Sequence, residues 1–218
     1  MYRRSTTDSK ITVVGVTGGT AAGKSTVCDF MNGRETVIID ADRIGHELLS
    51  ENAYIKRSIY ELFGDIILDQ DRNIDRNRLG NLAFSDENSL EKLNGIVHPL
   101  LLVKLRDQIT RAKKNMKRGV ILVDAALIVD WNITSLFDYI VMVDALKQHR
   151  MKRLIKGKTL APKQARDRIN AQFPTSIKKQ YVHYTIKNNG TLRKLKSDAQ
   201  KVIKAIKSKK LKVKPAKS

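Results

Sequence analysis

Cysteine is nearly absent from this sequence. One thiol, Cys28, occurs in 218 residues, which excludes an internal disulfide and suits a reducing compartment, with the cytoplasm as the default setting. Long apolar runs are missing as well. No stretch approaches the roughly 20 consecutive apolar residues that a bilayer span requires, so no membrane span is expected. The polar residues 1–10 lead into a short apolar run that ends in glycines, a poor signal peptide. Aromatic residues make up 6% of the chain and hardly occur in its basic end, which removes the stacking platforms that hold single-stranded nucleic acid. Acids are scarce beside bases: 22 Asp and Glu stand against 42 Lys and Arg, a formal net charge of +20. Residues 193–217 hold eleven bases and one acid, Asp198. Such an excess favours anionic partners such as nucleotides, nucleic acid or an anionic membrane surface, although a solvated helix face ending in a frayed tail is the simplest account. What remains, 41% apolar and 29% charged residues, is the composition of an ordinary globular enzyme.

Apolar runs alternate with helical patterns. Residues 11–17, 36–40, 119–124 and 139–144 read as strands that are almost wholly apolar, and 185–186 as a short last one. Helices are expected at 25–33, 43–50, 147–155, 162–172 and 191–207, and 53–118 is helical with turns at Gly64-Asp65 and at 69–75. This alternation predicts an α/β fold, a parallel sheet covered by helices on both faces. The organisation expected is an N-terminal extension (1–10), one domain (11–207) and a basic tail (208–218). Within the domain, a helical insertion (53–118) sits over the carboxyl edge of the sheet, where such folds bind ligands.

The chemistry starts at Gly18-Gly19-Thr20-Ala21-Ala22-Gly23-Lys24-Ser25-Thr26, directly after the first strand. The pattern fits the phosphate-binding P-loop. Glycines let successive amides turn inward and approach a polyphosphate closely, and the following helix adds its positive end. Lys24 can reach the β- and γ-phosphates of a nucleotide such as ATP, and the Ser25 hydroxyl, with Thr26 beside it, can hold Mg2+. All nine residues are therefore nucleotide-site candidates, with Ser25 the metal ligand. No Asn-Lys-x-Asp box for guanine occurs, and the length favours phosphotransfer to a small molecule.

Asp40-Ala41-Asp42 closes the second strand. One carboxylate at such a place can take the proton of an incoming hydroxyl and the other can support Mg2+ through water; helix capping by Asp42 is an equal alternative. Asp124, ending the third strand, suits either a Mg2+-bound water or a turn.

Taken together, several blocks resemble the dephospho-CoA kinase family: Gly15-Val16-Thr17-Gly18-Gly19; Ile39-Asp40-Ala41-Asp42-Arg43-Ile44-Gly45-His46-Glu47-Leu48; Phe63-Gly64; Ile74-Asp75-Arg76 with Leu79; and Leu93-Asn94-Gly95-Ile96-Val97-His98-Pro99. A lid-like stretch from Arg150 to Gln172, and Ile186 with Asn188-Asn189-Gly190, extend the likeness to Leu192. The resemblance implies a P-loop kinase fold with a helical acceptor-binding insertion and a lid spanning 147–175. It also implies transfer of the ATP γ-phosphate, with Mg2+, to the ribose 3′-hydroxyl of dephospho-CoA. Carried over residue by residue, Asp42 activates that hydroxyl, Lys24 steadies the moving phosphoryl group and Arg153 is the lid arginine. Asn188 adjoins the nucleotide, and Asp42, Asp75, Arg76 and His98 serve the acceptor. The chain departs from the family pattern at Ala21, where glycine is usual, at Asp130, which shortens an acid, at Gly157-Lys158 in place of an Arg-Asp pair, and at Lys187. Two other readings use the same loop: a kinase of another nucleoside or nucleotide, and a nucleic-acid-binding ATPase that would draw on the positive charge. No specific nucleic acid is expected, and the oligomeric state is left open.

Overall fold

The computed structural model describes residues 10–158 and 160–209. Most of the N-terminal extension, Thr159 and the tail from residue 210 lie outside the described residues. Five strands, β1 (Ile11–Gly18), β2 (Thr36–Asp40), β3 (Gly119–Asp124), β4 (Tyr139–Asp144) and β5 (Tyr184–Lys187), form one sheet in the order β2-β3-β1-β4-β5. All pairings are parallel. Side chains alternate between the faces. Val13, Ile121, Val123, Ile140 and Met142 enter one core, while Val14, Val16, Val120, Leu122, Val141 and Val143 enter the other. Because both faces are covered, the strands carry no polar stripe.

The second core is closed by α1 (Lys24–Met31) and α9 (Leu192–Lys207). On the first core lie α2 (Ala41–Glu51), α3 (Ala53–Phe63), α4 (Arg76–Ser85) and the 29-residue α5 (Glu87–Asn115). Pro99, inside α5, has no amide hydrogen to offer the Gly95 carbonyl. The lid is built from α6 (Lys147–Lys158) and α7 (Pro162–Asn170), followed by the short α8 (Thr175–Lys178). Leu154, Ala165 and Ile169 form a small core of its own. The sequence pattern had not marked α8, whose four residues are too few to show a period.

One boundary bears on function. The helix after β2 starts at Ala41 rather than 43, because the Asp40 side chain accepts the Arg43 amide at 3.0 Å and caps it. Asp42 therefore lies in the first helical turn and is relieved of the capping role. The strand order reverses between β1 and β3, so the loops that follow them run to opposite sides and open a crevice at their carboxyl ends. The phosphate loop and Asp124 both lie at that crevice.

Candidate active site

The residues between β1 and α1 wrap into the expected cradle. Ala22 donates its amide to the Gly19 carbonyl at 2.9 Å, and Gly23 precedes α1 with φ 97. A Cβ at Gly23 would overlap the Asn188 side-chain amide, so this position requires glycine on two counts. Ala21 adopts φ 60, a left-handed conformation uncommon for a residue with a Cβ. At the end of the loop Lys24 is 8% exposed and points its ammonium toward Asp124, at 3.9 Å from Oδ1. Ser25 donates its hydroxyl to Asp124 Oδ2 at 2.6 Å. Asp124 is buried, and its Oδ1 has no hydrogen-bond partner among the described residues.

Three carboxylates gather here. Asp40 pairs across the sheet with Asp124, while Asp42 is exposed, and among the described residues nothing pairs with it. Burial pushes the Asp124 carboxyl up. The Lys24 ammonium and the Ser25 hydroxyl pull it back, and the Asp42 and Asp40 carboxylates push with burial. A buried oxygen without a donor, next to a serine hydroxyl and facing a polyphosphate loop, is suited to Mg2+. That ion keeps several waters and needs only one or two protein oxygens beside substrate phosphates. The raised carboxyl also has a stability consequence. Since the folded state favours the protonated form, ionisation subtracts stability as pH rises through the window from the ordinary carboxylate range to the folded value. Asp124→Asn removes this ionisation, so the nucleotide-free Tm of the variant relative to the parent is expected to be more favourable at pH 7 than at pH 4; thermal melts of both proteins at the two pH values check it.

Lid residues reach the loop directly. Arg153 donates to the carbonyls of Ala21 (3.0 Å), Ala22 (3.2 Å) and Asn188 (3.3 Å). In a trans peptide the carbonyl points away from the next amide, so Arg153 grips the side of the loop opposite its inward amides. Asn188 is buried and donates its side-chain amide to the Ala22 carbonyl at 2.8 Å. Two residues that the sequence reading had not singled out also touch the loop: Arg150 and Gln172 both bond to Thr20. Arg150 stands one turn before Arg153 on α6, a spacing that was legible; Gln172 carried no signal. Nor did Lys178, which is 2% exposed and pairs with Asp130 at 2.6 Å. The shortened acid at 130 thus keeps a partner, and it also accepts the Phe173 amide at 2.9 Å.

The acceptor candidates are dispersed. Asp75 caps α4 by accepting the amides of Asn77 (2.8 Å) and Arg78 (3.2 Å), and these bonds hold its carboxyl below the usual range. Arg76, beside it, is exposed. His98 stacks on Trp131 with ring centroids 4.5 Å apart; its Nε2 is buried without a partner among the described residues, and burial lowers its pKa. Cys28 lies in the core beneath the loop, where burial, with Asp124 adding, pushes the thiol well up.

The family model for dephospho-CoA kinase matches residues 12–194. The chain belongs to that family. A dephospho-CoA kinase of Lactobacillus johnsonii is 31% identical over 195 residues, covering 88% of this chain and 97% of the relative. Among solved structures, the dephospho-CoA kinase of Campylobacter jejuni superposes with a TM-score of 0.66 at 25% identity, over 91% of this chain and 98% of the other. A Thermus thermophilus protein reaches a TM-score of 0.70 at 22% identity, covering 89% and 97%, and that likeness speaks for the fold. A P-loop kinase fold and nucleotide-dependent phosphoryl transfer follow from membership in the dephospho-CoA kinase family. No helix among the described residues is long and apolar enough to cross a membrane.

Proposed function

We propose that this protein transfers the γ-phosphate of ATP, with Mg2+, to the ribose 3′-hydroxyl of dephospho-CoA, giving coenzyme A and ADP. The observation that carries the mechanism is the division of work between two neighbouring acids. Asp40 caps α2, which leaves Asp42 exposed and unpaired among the described residues, near Asp124 and the loop. A carboxylate in that state is free to orient an incoming hydroxyl and accept its proton.

The remaining roles follow from position. The amides of Ala21 and of residues 23–26, with the positive end of α1, hold the phosphates, while the Ala22 amide closes the turn on the Gly19 carbonyl. Lys24 follows negative charge as it shifts toward the leaving oxygen. Mg2+ would be held by the Ser25 hydroxyl and, through water, by Asp124; it would neutralise charge on the β- and γ-phosphates. Arg153 and Asn188 act through the loop, by fixing its carbonyls. The insertion, with Arg76 and the His98–Trp131 stack, presents the acceptor, and the lid excludes water that would otherwise hydrolyse the γ-phosphate. Asp75 contributes by capping the helix that carries Arg76. A cytoplasmic setting is supported by the single, buried cysteine.

ADP release, measured with dephospho-CoA, adenosine, uridine and AMP as acceptors, tests the reading. Dephospho-CoA is expected to give the highest kcat/KM, since an acceptor that leaves a buried polar group such as His98 Nε2 unpaired is rejected. Best turnover of a plain nucleoside would overturn it. ATP hydrolysis stimulated by nucleic acid with a steep salt dependence would instead point to the ATPase reading.

A further inference from the structure

Thr20 is held from two sides by the lid. Its amide donates to Gln172 Oε1 at 2.8 Å, and its carbonyl accepts from Arg150 Nε at 2.9 Å. The first bond fixes the peptide before the Thr20 Cα and the second fixes the peptide after it. Both therefore set the approach to Ala21, whose φ of 60 is the strained point of the loop. Strain of this kind persists only where the surroundings over-determine the conformation. Here they do so in three ways. The Arg150 guanidinium fills the space that a Cβ on Gly19 would take. The Ala21 methyl packs on the lid core of Leu154, Ala165 and Ile169. Gln172, for its part, is anchored next door, where Phe173 bonds to Asp130 and Asp130 pairs with buried Lys178.

Arg150 is 9% exposed; burial pulls its pKa down, opposed by the Asp144 carboxylate. Gln172 follows α7, whereas Arg150 belongs to α6, so both arms of the lid end on the same loop residue. With its amide taken by Gln172, Thr20 offers the nucleotide no backbone donor, and the phosphate cradle begins at Ala21.

The geometry points to Arg150 and Gln172 as positioning residues for the transfer: by clamping Thr20 they aim the free amides of Ala21 and of residues 23–26 at the ATP phosphates. This assignment rests on the reading of residues 18–26 as the ATP site. It goes further in making the lid a part of the loop's architecture.

Hydrogen exchange of the Thr20 amide in nucleotide-free protein, together with steady-state kinetics, tests it. Gln172→Leu removes the accepting oxygen at similar size. It is expected to speed Thr20 exchange about fivefold to tenfold, as for one lost hydrogen bond, and to lower kcat on the order of 10²-fold, the cost of a misaimed reacting group. Gln172→Glu keeps the acceptor and should restore slow exchange and most of kcat. Arg150→Lys keeps the charge but loses the planar fork, and should lower kcat with little change in the KM for the acceptor. Combined with Gln172→Leu it should cost no more than the larger single change, since both act on one residue. Unchanged Thr20 exchange in Gln172→Leu, a Glu variant as impaired as the Leu variant, or fully additive losses would overturn the assignment. If Gln172→Leu does not fold, the Glu and Lys variants decide by the same criteria. Failure of the underlying reading would look different: the parent protein itself would not bind an ATP analogue.

Discussion

Asp42→Asn is expected to lower kcat on the order of 10²- to 10⁴-fold, the range for loss of a positioned general base, while the affinity for ATP stays close to that of the parent. The structure makes this a clean substitution. Asp42 is exposed and unpaired among the described residues, and the α2 cap is supplied by Asp40, so neither helix nor core loses a bond. Asparagine keeps the size and removes the negative charge and, with it, the capacity to take a proton. Kinetics with dephospho-CoA, paired with a nucleotide-binding titration, measure the two quantities. A kcat near that of the parent would remove Asp42 as the base. Asp40→Asn is its natural control, because it probes the neighbouring carboxylate whose oxygen caps the helix.

Lys24→Ala is expected to lower kcat on the order of 10²- to 10³-fold, as for removal of a group that stabilises developing charge. A second effect follows from the 3.9 Å separation between Lys24 Nζ and Asp124 Oδ1. Without the ammonium, the buried Asp124 carboxylate keeps the Ser25 hydroxyl but loses the cation that offsets its burial. A buried charge stripped of its partner is strongly destabilising, so the variant should also melt earlier at neutral pH. Adding Asp124→Asn should return the Tm without returning activity. Recovery of both together would mean that Lys24 serves the fold alone.

The loop and the sheet were legible because their signals are local. A glycine-rich turn between an apolar strand and a helix follows from backbone geometry, and doubly covered strands show as unbroken apolar runs. The capping of α2 was half legible: the sequence offered Asp42 as a cap or a catalytic acid, and the structure, by starting the helix at Ala41, gives the cap to Asp40 instead. The lid was legible as helices and illegible as contacts. Nothing in the spacing of Arg150, Gln172 and Lys178 shows that three residues spread over two helices and a connecting turn converge on Thr20 and Asp130. Such pairings are set by how the elements dock. Arg153 shows the same limit from the other side. The family likeness implied a lid arginine closing over phosphates, and the structure places its guanidinium on the carbonyls of Ala21, Ala22 and Asn188.

Cys28 lies buried in α1 among Val14, Val27 and Met31, and its thiol resists ionisation. Since a thiolate is the form that reacts with alkylating reagents, labelling in native buffer proceeds only through molecules in which this helix has come away from the sheet. The chain's one sulfhydryl is thereby a built-in clock for local opening, and any ligand that bridges the start of α1 slows it.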